Sequence, residues 1–200
     1  MFGPEIAQHL KPREDADAVG RWHGTSKILP TIFETVSFFR GIGIEIDCVD
    51  ITASRGFERV LDLNHPIPTE MHGAYNLVFD LGTMEHCFNI AQAMANGANA
   101  LAEGGCILQL NPLNMYNHGF YNVNPTFYLD FYTQNGFELL FMTGLGGNVI
   151  SPTPFDVAPA ARFRTAPDNS VLIAVAQRKT MQPIGWPTQH KYLKNPTLRA

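Results

Sequence analysis

The sequence predicts an α/β protein built on a mainly parallel sheet. Short apolar runs that suit strands alternate along the chain with segments whose apolar residues recur at helical spacing. Leu77, Val78 and Phe79 form a continuous apolar run, as expected of a strand buried on both faces of a parallel sheet. No helix separates the final two predicted strands, and this allows an antiparallel strand at the edge of the sheet.

Composition narrows the class of protein. The 200 residues carry a formal net charge of -4 at pH 7, which argues against non-specific binding to nucleic acid. The three cysteines are not arranged as Cys-x-x-Cys, and we expect them to be reduced. No apolar run approaches the length of a membrane span, and no signal peptide opens the chain. The expected location is therefore the cytoplasm.

The first third of the chain begins with a polar arm, residues 1–18, which precedes a predicted domain over residues 19–178. Residues 20–24 form a turn bounded by Gly20 and Gly24. Apolar residues at helical spacing predict a helix over residues 29–39, with glycines at its end.

Two predicted strands follow, and each ends at an acidic residue. The first spans residues 44–49 and ends before Asp50, and the second spans residues 58–61 and ends before Asp62. Pro66 and Pro68 then prevent a regular helix for several residues.

The central predicted strand ends at Asp80 and leads into a polar loop that contains Gly82, Glu85 and His86. In open α/β sheets, ligands bind at the carboxyl ends of strands, so this loop is the first candidate site. Apolar residues from Phe88 to Leu101 then lie at helical spacing, and Glu103, Gly104 and Gly105 are expected to end that helix.

The remaining elements are predicted from their flanking turns. They comprise a strand over residues 106–110, a polar and aromatic loop over 114–124, a helix over 125–134 capped by Asn135 and Gly136, and a strand over 137–142. Residues 143–168 are rich in Gly, Pro and Ala and suggest an irregular excursion, and residues 171–177 form the last strand. The Pro-containing tail, residues 179–200, should lie over the surface.

Four landmarks in this order resemble the class I S-adenosylmethionine-dependent methyltransferases. They are Cys48-Val-Asp-Ile-Thr52, Val60-Leu-Asp-Leu-Asn64, Phe79-Asp-Leu-Gly-Thr-Met-Glu-His86 and Leu101-Ala-Glu-Gly-Gly-Cys-Ile-Leu108. His118-Gly-Phe-Tyr121 and the segments that follow it are similar to a bacterial subgroup of uncharacterised methyltransferase-like proteins. The resemblance covers roughly residues 19–178.

The resemblance implies a Rossmann-like three-layer sandwich with a mainly parallel seven-stranded sheet and an antiparallel last strand. It also implies S-adenosylmethionine as cofactor and a small polar molecule as methyl acceptor. The reaction would be an in-line displacement at the sulfonium methyl, for which the protein aligns the two reactants.

The resemblance also assigns cofactor contacts. Asp50 would accept hydrogen bonds from the ribose hydroxyls, with Asp47 as the competitor in a shifted register. Asp62 would face the adenine amine and Leu63 its ring, while Asp80 and Gly82 would border the cofactor. For Asp50 and Asp62, an ordinary turn or helix cap is an equally good explanation, and Gly82 could equally be an ordinary turn glycine.

One segment departs from the family pattern. The family's first strand is followed by a Gly-x-Gly-x-Gly loop, which passes under the methionine part of the cofactor. The corresponding place here offers Gly20, Arg21 and Gly24, and Arg21 would pair with the cofactor's carboxylate.

Two histidines are candidates for a general base, His86 in the central loop and His118 in the loop after the next strand. His86 could instead cover the cofactor, and His118 could be a loop residue bonded to a carbonyl group. The seven histidines form no His-x-His or His-Glu-x-x-His pattern, so the sequence predicts no metal site.

A second hypothesis of a different class remains open. The chain could be a methyltransferase-like domain that has lost catalysis and serves as a binding or assembly subunit. The altered first loop, the excursion over 143–168 and the Pro-rich tail are compatible with this hypothesis. A homo-oligomer or a larger assembly is a further expectation.

Overall fold

The computed structural model describes residues 10–22, 32–148 and 151–195. The chain divides into two compact units, Met1–Leu61 and Asp62–Ala200. The division at residues 18 and 178 that the sequence suggested stays a prediction. Within the described residues, no helix has the length and apolar character needed to cross a membrane.

The first unit contains two short helices and one pair of short strands. Helix α1 is Ala16–Trp22 and helix α2 is Thr35–Gly41. Strands β1, Val49–Asp50, and β2, Arg59–Val60, pair in parallel.

Two sequence predictions for the first unit are wrong. Gly20 and Arg21 belong to α1 rather than to a turn, because Ala16 and Ala18 favour a helix and Arg21 lies in its last turn, where a cation is favoured. Gly24 lies outside the described residues. The strand expected over 44–49 is reduced to its end, because polar residues at every second position leave it without the two apolar faces of a central parallel strand.

The second unit is organised around a mixed five-stranded sheet. Its strands are β3 (Tyr75–Asp80), β4 (Leu101–Pro112), β5 (Phe137–Asn148), β6 (Ser151–Phe155) and β7 (Val171–Arg178). They lie in the order β3-β4-β7-β5-β6. Strands β3 and β4 are parallel, β7 is antiparallel to both of its neighbours, and β6 is antiparallel to β5.

The architecture is thus α/β, but the prediction of a mainly parallel sheet of seven strands is wrong. Strands β1 and β2 pair with each other in a separate ladder, and β5 and β6 extend into the segment that was expected to be irregular. The glycines of that segment favoured the prediction of a loop over that of a strand. A Cβ on Gly144 would lie 2.2 Å from the ring of Phe155 on β6, so glycine here allows two strands to approach. The last strand is antiparallel, yet it lies inside the sheet rather than at its edge.

Helices α3 (Ile90–Ala100) and α4 (Pro125–Gln134) pack on the same face of this sheet. Met94, Tyr128 and Tyr132 from these helices share one core with Ile107 and Leu172 from the strands. On β3, Leu77 and Phe79 are 41% and 40% exposed, so the expectation of a strand buried on both faces is wrong. In the described part of this unit, the three-layer arrangement is not formed.

The end of α3 also differs from its prediction. The helix ends at Ala100 rather than at residues 103–105, and β4 begins at the fully buried Leu101. The reason is Arg178, whose Nη1 donates to the carbonyls of Ala98 and Leu101 at 2.9 and 2.8 Å. The helix therefore ends where a buried guanidinium group binds its last carbonyls.

The tail after β7 follows α4 and the turn that ends it. Asn135 accepts a hydrogen bond from the backbone N–H of Gly185 at 2.7 Å, and Asp130 accepts one from that of His190 at 3.1 Å. A short helix, α5 (His190–Lys194), closes the described chain.

Candidate active site

Asp80 organises the loop that follows β3. Its Oδ1 accepts hydrogen bonds from the backbone N–H groups of Thr83 at 2.9 Å and Met84 at 3.3 Å. Its Oδ2 accepts from the side-chain amides of Gln109 at 3.1 Å and Asn111 at 3.3 Å on β4. Four donors match the acceptor capacity of one carboxylate, so Asp80 holds the loop against the neighbouring strand.

Gly82 is required by the shape of this loop. Its φ is +98°, a conformation that residues with a side chain rarely adopt. A Cβ at this position would also lie 3.3 Å from Oε1 of Glu85. Glycine therefore permits the turn and leaves room for the glutamate.

Glu85 is the buried carboxylate at the centre of the site, with only 1% of its surface exposed. It lies in a 3₁₀ turn, Met84–His86, between β3 and α3. Its Oε2 accepts a hydrogen bond from Asn111 at 2.9 Å, and Asn111 in turn accepts one from the hydroxyl of Tyr128. Oε1 has no hydrogen-bond partner. One oxygen is thus fixed and the other is unsatisfied, which is unusual for a buried carboxylate.

Both histidines that the sequence singled out lie beside this unsatisfied oxygen. The Nε2 atoms of His86 and His118 are 3.8 and 3.6 Å from Oε1 of Glu85. The centroids of the two imidazole rings are 5.1 Å apart, and both side chains are nearly half exposed. The carboxylate is therefore shielded from solvent, whereas both imidazoles are accessible to it.

The loop after β4 is attached directly to the loop after β3. The backbone N–H of Phe120 donates to the carbonyl of Glu85 at 2.9 Å, and the hydroxyl of Tyr121 donates to the carbonyl of Phe88 at 2.8 Å. A Cβ on Gly119 would lie 2.9 Å from the carbonyl oxygen of Glu85, so this close approach requires glycine. These contacts hold His118 over the buried carboxylate.

Exposed aromatic residues lie close along the chain to the two histidines, since Phe88 is two residues after His86 and Phe120 is two residues after His118. Phe88 and Phe120 are 73% and 64% exposed and contact each other edge to face, with ring centroids 5.5 Å apart. Tyr116 in the same loop is 86% exposed. Exposed aromatic side chains such as this contacting pair are typical of a place that contacts a ligand or a partner.

Burial changes the acidity of the groups beneath the site. Burial, reinforced by the charge of Asp80, raises the pKa of the Tyr128 and Tyr132 hydroxyls. Burial also raises the pKa of the Cys87 thiol, again together with nearby carboxylates. These groups are therefore neutral hydrogen-bonding or packing residues at physiological pH.

Asp62 and Leu63 begin the second unit. Asp62 Oδ1 accepts hydrogen bonds from the backbone and side chain of Asn64 at 2.9 and 2.7 Å, and these bonds lower the pKa of its carboxyl. Leu63 packs against the core. Asn64 also accepts a hydrogen bond from the backbone N–H of Asn89 at 2.8 Å, which places this segment beside the start of α3.

The other predicted cofactor residues belong to the first unit. Asp50 ends β1 and accepts a hydrogen bond from the backbone N–H of Thr52 at 3.1 Å, with Arg55 3.4 Å from its other oxygen. The side chain of Arg21 on α1 is exposed. The roles of these residues stay predictions.

The sequence motifs do not indicate how the site is supported. The two histidines were predicted as alternatives, and neither was connected with Glu85. Gln109 and Asn111, which are fully buried amides in the mostly apolar strand β4, were not among the predicted site residues. That polar pair at alternate positions of β4 was the available signal, because one face of a strand carries every second residue.

Comparisons with known proteins assign no family to this chain. No family model matches the chain, and no curated protein matches it. Among solved structures, it is similar to one from Bacillus halodurans C-125 described as "a putative methyltransferase". The TM-score is 0.40 at 11% identity, over 68% of this chain and 83% of that one. A likeness at this level carries no argument about function.

Proposed function

We propose that the protein transfers a methyl group from S-adenosylmethionine to a nucleophile on a small polar molecule. The observation that carries the proposal is the convergence of His86 and His118 on the buried Glu85. The site lies at the carboxyl ends of two adjacent parallel strands, where α/β folds bind their ligands. The sequence landmarks that resemble methyltransferases supply the choice of reaction.

The chemistry requires alignment and the removal of one proton. When bound, S-adenosylmethionine would supply a methyl group on a sulfonium sulfur, which would pass to the acceptor oxygen with S-adenosylhomocysteine as the neutral thioether product. A neutral imidazole takes the proton of an acceptor hydroxyl, and the carboxylate of Glu85 stabilises the imidazolium that results. His118 is the stronger candidate for this base, because its Nε2 is nearer to Glu85 Oε1 and its loop is the one expected beside the acceptor.

The cofactor assignments complete the proposal. Asp50 would bind the ribose hydroxyls, and Asp62 and Leu63 would contact the adenine. Asp80 and Gly82 would border the cofactor, with Asp80 acting through the loop that it organises. The segment containing Gly20, Arg21 and Gly24 would receive the methionine part. These assignments are supported by the resemblance and by the place of each acid at the end of a predicted strand.

Calorimetric titration of the full chain with S-adenosylmethionine and S-adenosylhomocysteine tests the proposal. We expect saturable binding of both, and Asp50→Ala should weaken it by about 1.5 to 3 kcal/mol, the loss of hydrogen bonds to a charged group. Asp47→Ala is the matched variant for the shifted register. Absence of binding to either compound would overturn the proposal, while unchanged affinity in a folded Asp50→Ala chain would remove Asp50 alone.

A second measurement separates the base from the cofactor site. Once an acceptor is found with labelled cofactor, His118→Ala should lower turnover by about 10²- to 10⁴-fold while cofactor affinity stays nearly unchanged. His72→Ala is the control, because His72 is an exposed histidine to which no cofactor or acceptor contact is assigned. Equal losses of turnover and cofactor affinity in His118→Ala would assign the residue to the cofactor or to the fold.

A binding or assembly subunit is the second candidate function. It is favoured by the exposed aromatic side chains of Phe88, Tyr116 and Phe120 and by the helical conformation of Gly20 and Arg21. If the titration finds no cofactor, light scattering of the wild-type chain and of Phe120→Ser tests this candidate. A self-associated wild type that dissociates in the variant would support it, and two monomers would contradict self-assembly.

A further inference from the structure

We propose that Glu85, His86 and His118 bind a divalent transition-metal ion, with zinc as the ion whose geometry the cluster fits. One ligand atom from each residue lies within 4.8 Å of the other two, and this is the only such group in the described part of the chain. The inference does not rest on methyl transfer and holds whether or not the protein binds the cofactor.

The unsatisfied oxygen of Glu85 is the first argument. A buried carboxylate normally has both oxygens hydrogen-bonded or paired with a charge. Here Oε2 is occupied by Asn111, and Oε1 has no partner and lies beside both imidazoles. Oε1 is therefore placed as a monodentate ligand. Asp130 holds the only comparable oxygen in the described residues, and it belongs to no such cluster.

The charge balance is the second argument. Asp80 and Glu85 accept hydrogen bonds from the same amide nitrogen of Asn111, at 3.3 and 2.9 Å, so two carboxylates lie close together. In the described residues, no lysine or arginine forms an ion pair with either of them. A divalent cation at Oε1 would compensate this negative charge in a place where water cannot.

The distances are the third argument. Ligands at about 2.0 to 2.1 Å from zinc in a tetrahedral arrangement lie about 3.4 Å from one another. The observed separations of 3.6 and 3.8 Å between Oε1 and the two Nε2 atoms are close to that spacing. An octahedral ion with the same bond lengths would require about 2.9 Å. Two imidazoles and one carboxylate also leave the fourth position open toward solvent.

The surroundings fit a metal site as well. The carboxylate ligand is oriented by Asn111, which is itself fixed by the hydroxyl of Tyr128, and such outer partners are typical of metal centres. The Phe120 hydrogen bond to the carbonyl of Glu85 holds the third ligand, His118, in the same place. With zinc bound, His118 would be a ligand and not the general base; an acceptor hydroxyl at the open position would be more acidic than in water and could lose its proton to solvent.

Zinc binding to the full chain, treated with EDTA and dialysed, tests the inference in the absence of S-adenosylmethionine. We expect one zinc ion per chain by calorimetry and elemental analysis, and cobalt(II) should give the intense visible absorption of a tetrahedral site. Glu85→Gln, His86→Ala and His118→Ala should each weaken binding by at least about tenfold, since even outer partners contribute that much.

His65→Ala is the matched control and should leave zinc affinity unchanged, because its histidine–carboxylate pair has no third ligand. Far-UV circular dichroism identifies any variant that fails to fold, and His118→Ala, in a half-exposed loop position, keeps the test valid if Glu85→Gln unfolds. No zinc binding by the wild type, or equal binding by the wild type and all three ligand variants, would overturn the proposal. Because the cofactor titration is separate, either proposal can fail without the other.

Discussion

A buried charged side chain lies at each end of the strands of the five-stranded sheet, and the hydrogen-bonding needs of the two side chains are met in different ways. At the amino ends of β4 and β5, Arg178 is 3% exposed, and its guanidinium donates to the carbonyls of Ala98, Leu101, Thr180 and Gln182. At the carboxyl ends of β3 and β4, Glu85 is equally buried, but one of its oxygens has no partner.

The difference separates a residue that completes the fold from one that is prepared for a ligand. Each nitrogen of Arg178 binds the chain's own backbone and fixes the junction between α3 and β4. The loops at the carboxyl ends of β3 and β4 instead place polar side chains around an oxygen of Glu85 that has no hydrogen-bond partner. Burial alone therefore does not distinguish structural charges from functional ones, whereas hydrogen-bond satisfaction does.

The largest expected effect on stability comes from replacing Arg178, whose hydrogen bonds are all made within the chain. Arg178→Met should lower the free energy of unfolding by about 3 kcal/mol or more, because at least two buried carbonyls lose their donor at about 1 to 3 kcal/mol each. Urea denaturation followed by circular dichroism measures the change. Arg162→Met, which alters an exposed arginine, is the control and should change stability by less than about 0.5 kcal/mol. Similar values for both variants would show that Arg178 does not hold this junction.

An intermediate effect on stability is expected for the tyrosines buried beneath the candidate site. Burial raises the pKa of Tyr132, so above the ordinary tyrosine pKa of about 10 the unfolded chain ionises while the folded chain does not. Stability contributed by this group is complete below pH 10 and is lost as pH rises further.

Tyr132→Phe should therefore cost about 1 kcal/mol near pH 8, through its lost hydrogen bond to Gln109, and should show a shallower fall in stability above pH 10. Unfolding free energies measured from pH 8 to pH 11 provide the comparison. The exposed Tyr116 offers the control Tyr116→Phe, which should follow the wild type throughout. An unchanged alkaline slope in Tyr132→Phe would mean that other groups cause the loss.

The smallest effect on stability is expected at Glu85 itself. In metal-free protein, Glu85→Gln should change the free energy of unfolding by less than about 1 kcal/mol, because the amide can still accept the hydrogen bond from Asn111 and no longer buries a charge. Thermal and urea denaturation in the presence of EDTA measure it. A loss of stability as large as that of Arg178→Met would make Glu85 a structural residue and remove the contrast between Glu85 and Arg178.

Local signals predicted part of the fold well. The helix over Pro125–Gln134 was predicted from its proline start and its Asn-Gly end, and the structure places it at the same residues. The number of strands was not predictable in the same way, because sheet membership depends on partners distant in sequence. The glycines of β5 suggested a loop, although Gly144 serves a close strand contact that only the folded chain reveals.

The candidate site shows the same limit. His86 and His118 were each identified from the sequence, since a histidine in a loop after a strand is a recognisable candidate. Their convergence on Glu85 depends on β3 and β4 being adjacent and on the Phe120 hydrogen bond, neither of which leaves a motif. The cofactor residues predicted from the resemblance, including Asp50 and Asp62, remain predictions.

The hydrogen bond between Phe120 and Glu85 links the formation of the site to the formation of the sheet. The two residues are far apart along the chain, so their contact forms only once β3 and β4 have aligned and the entropic cost of closing the intervening segment has been met. The amide proton of Phe120 therefore exchanges with solvent whenever the two loops separate. Its exchange rate reports how often the histidines leave the carboxylate, without any substrate or ligand being present.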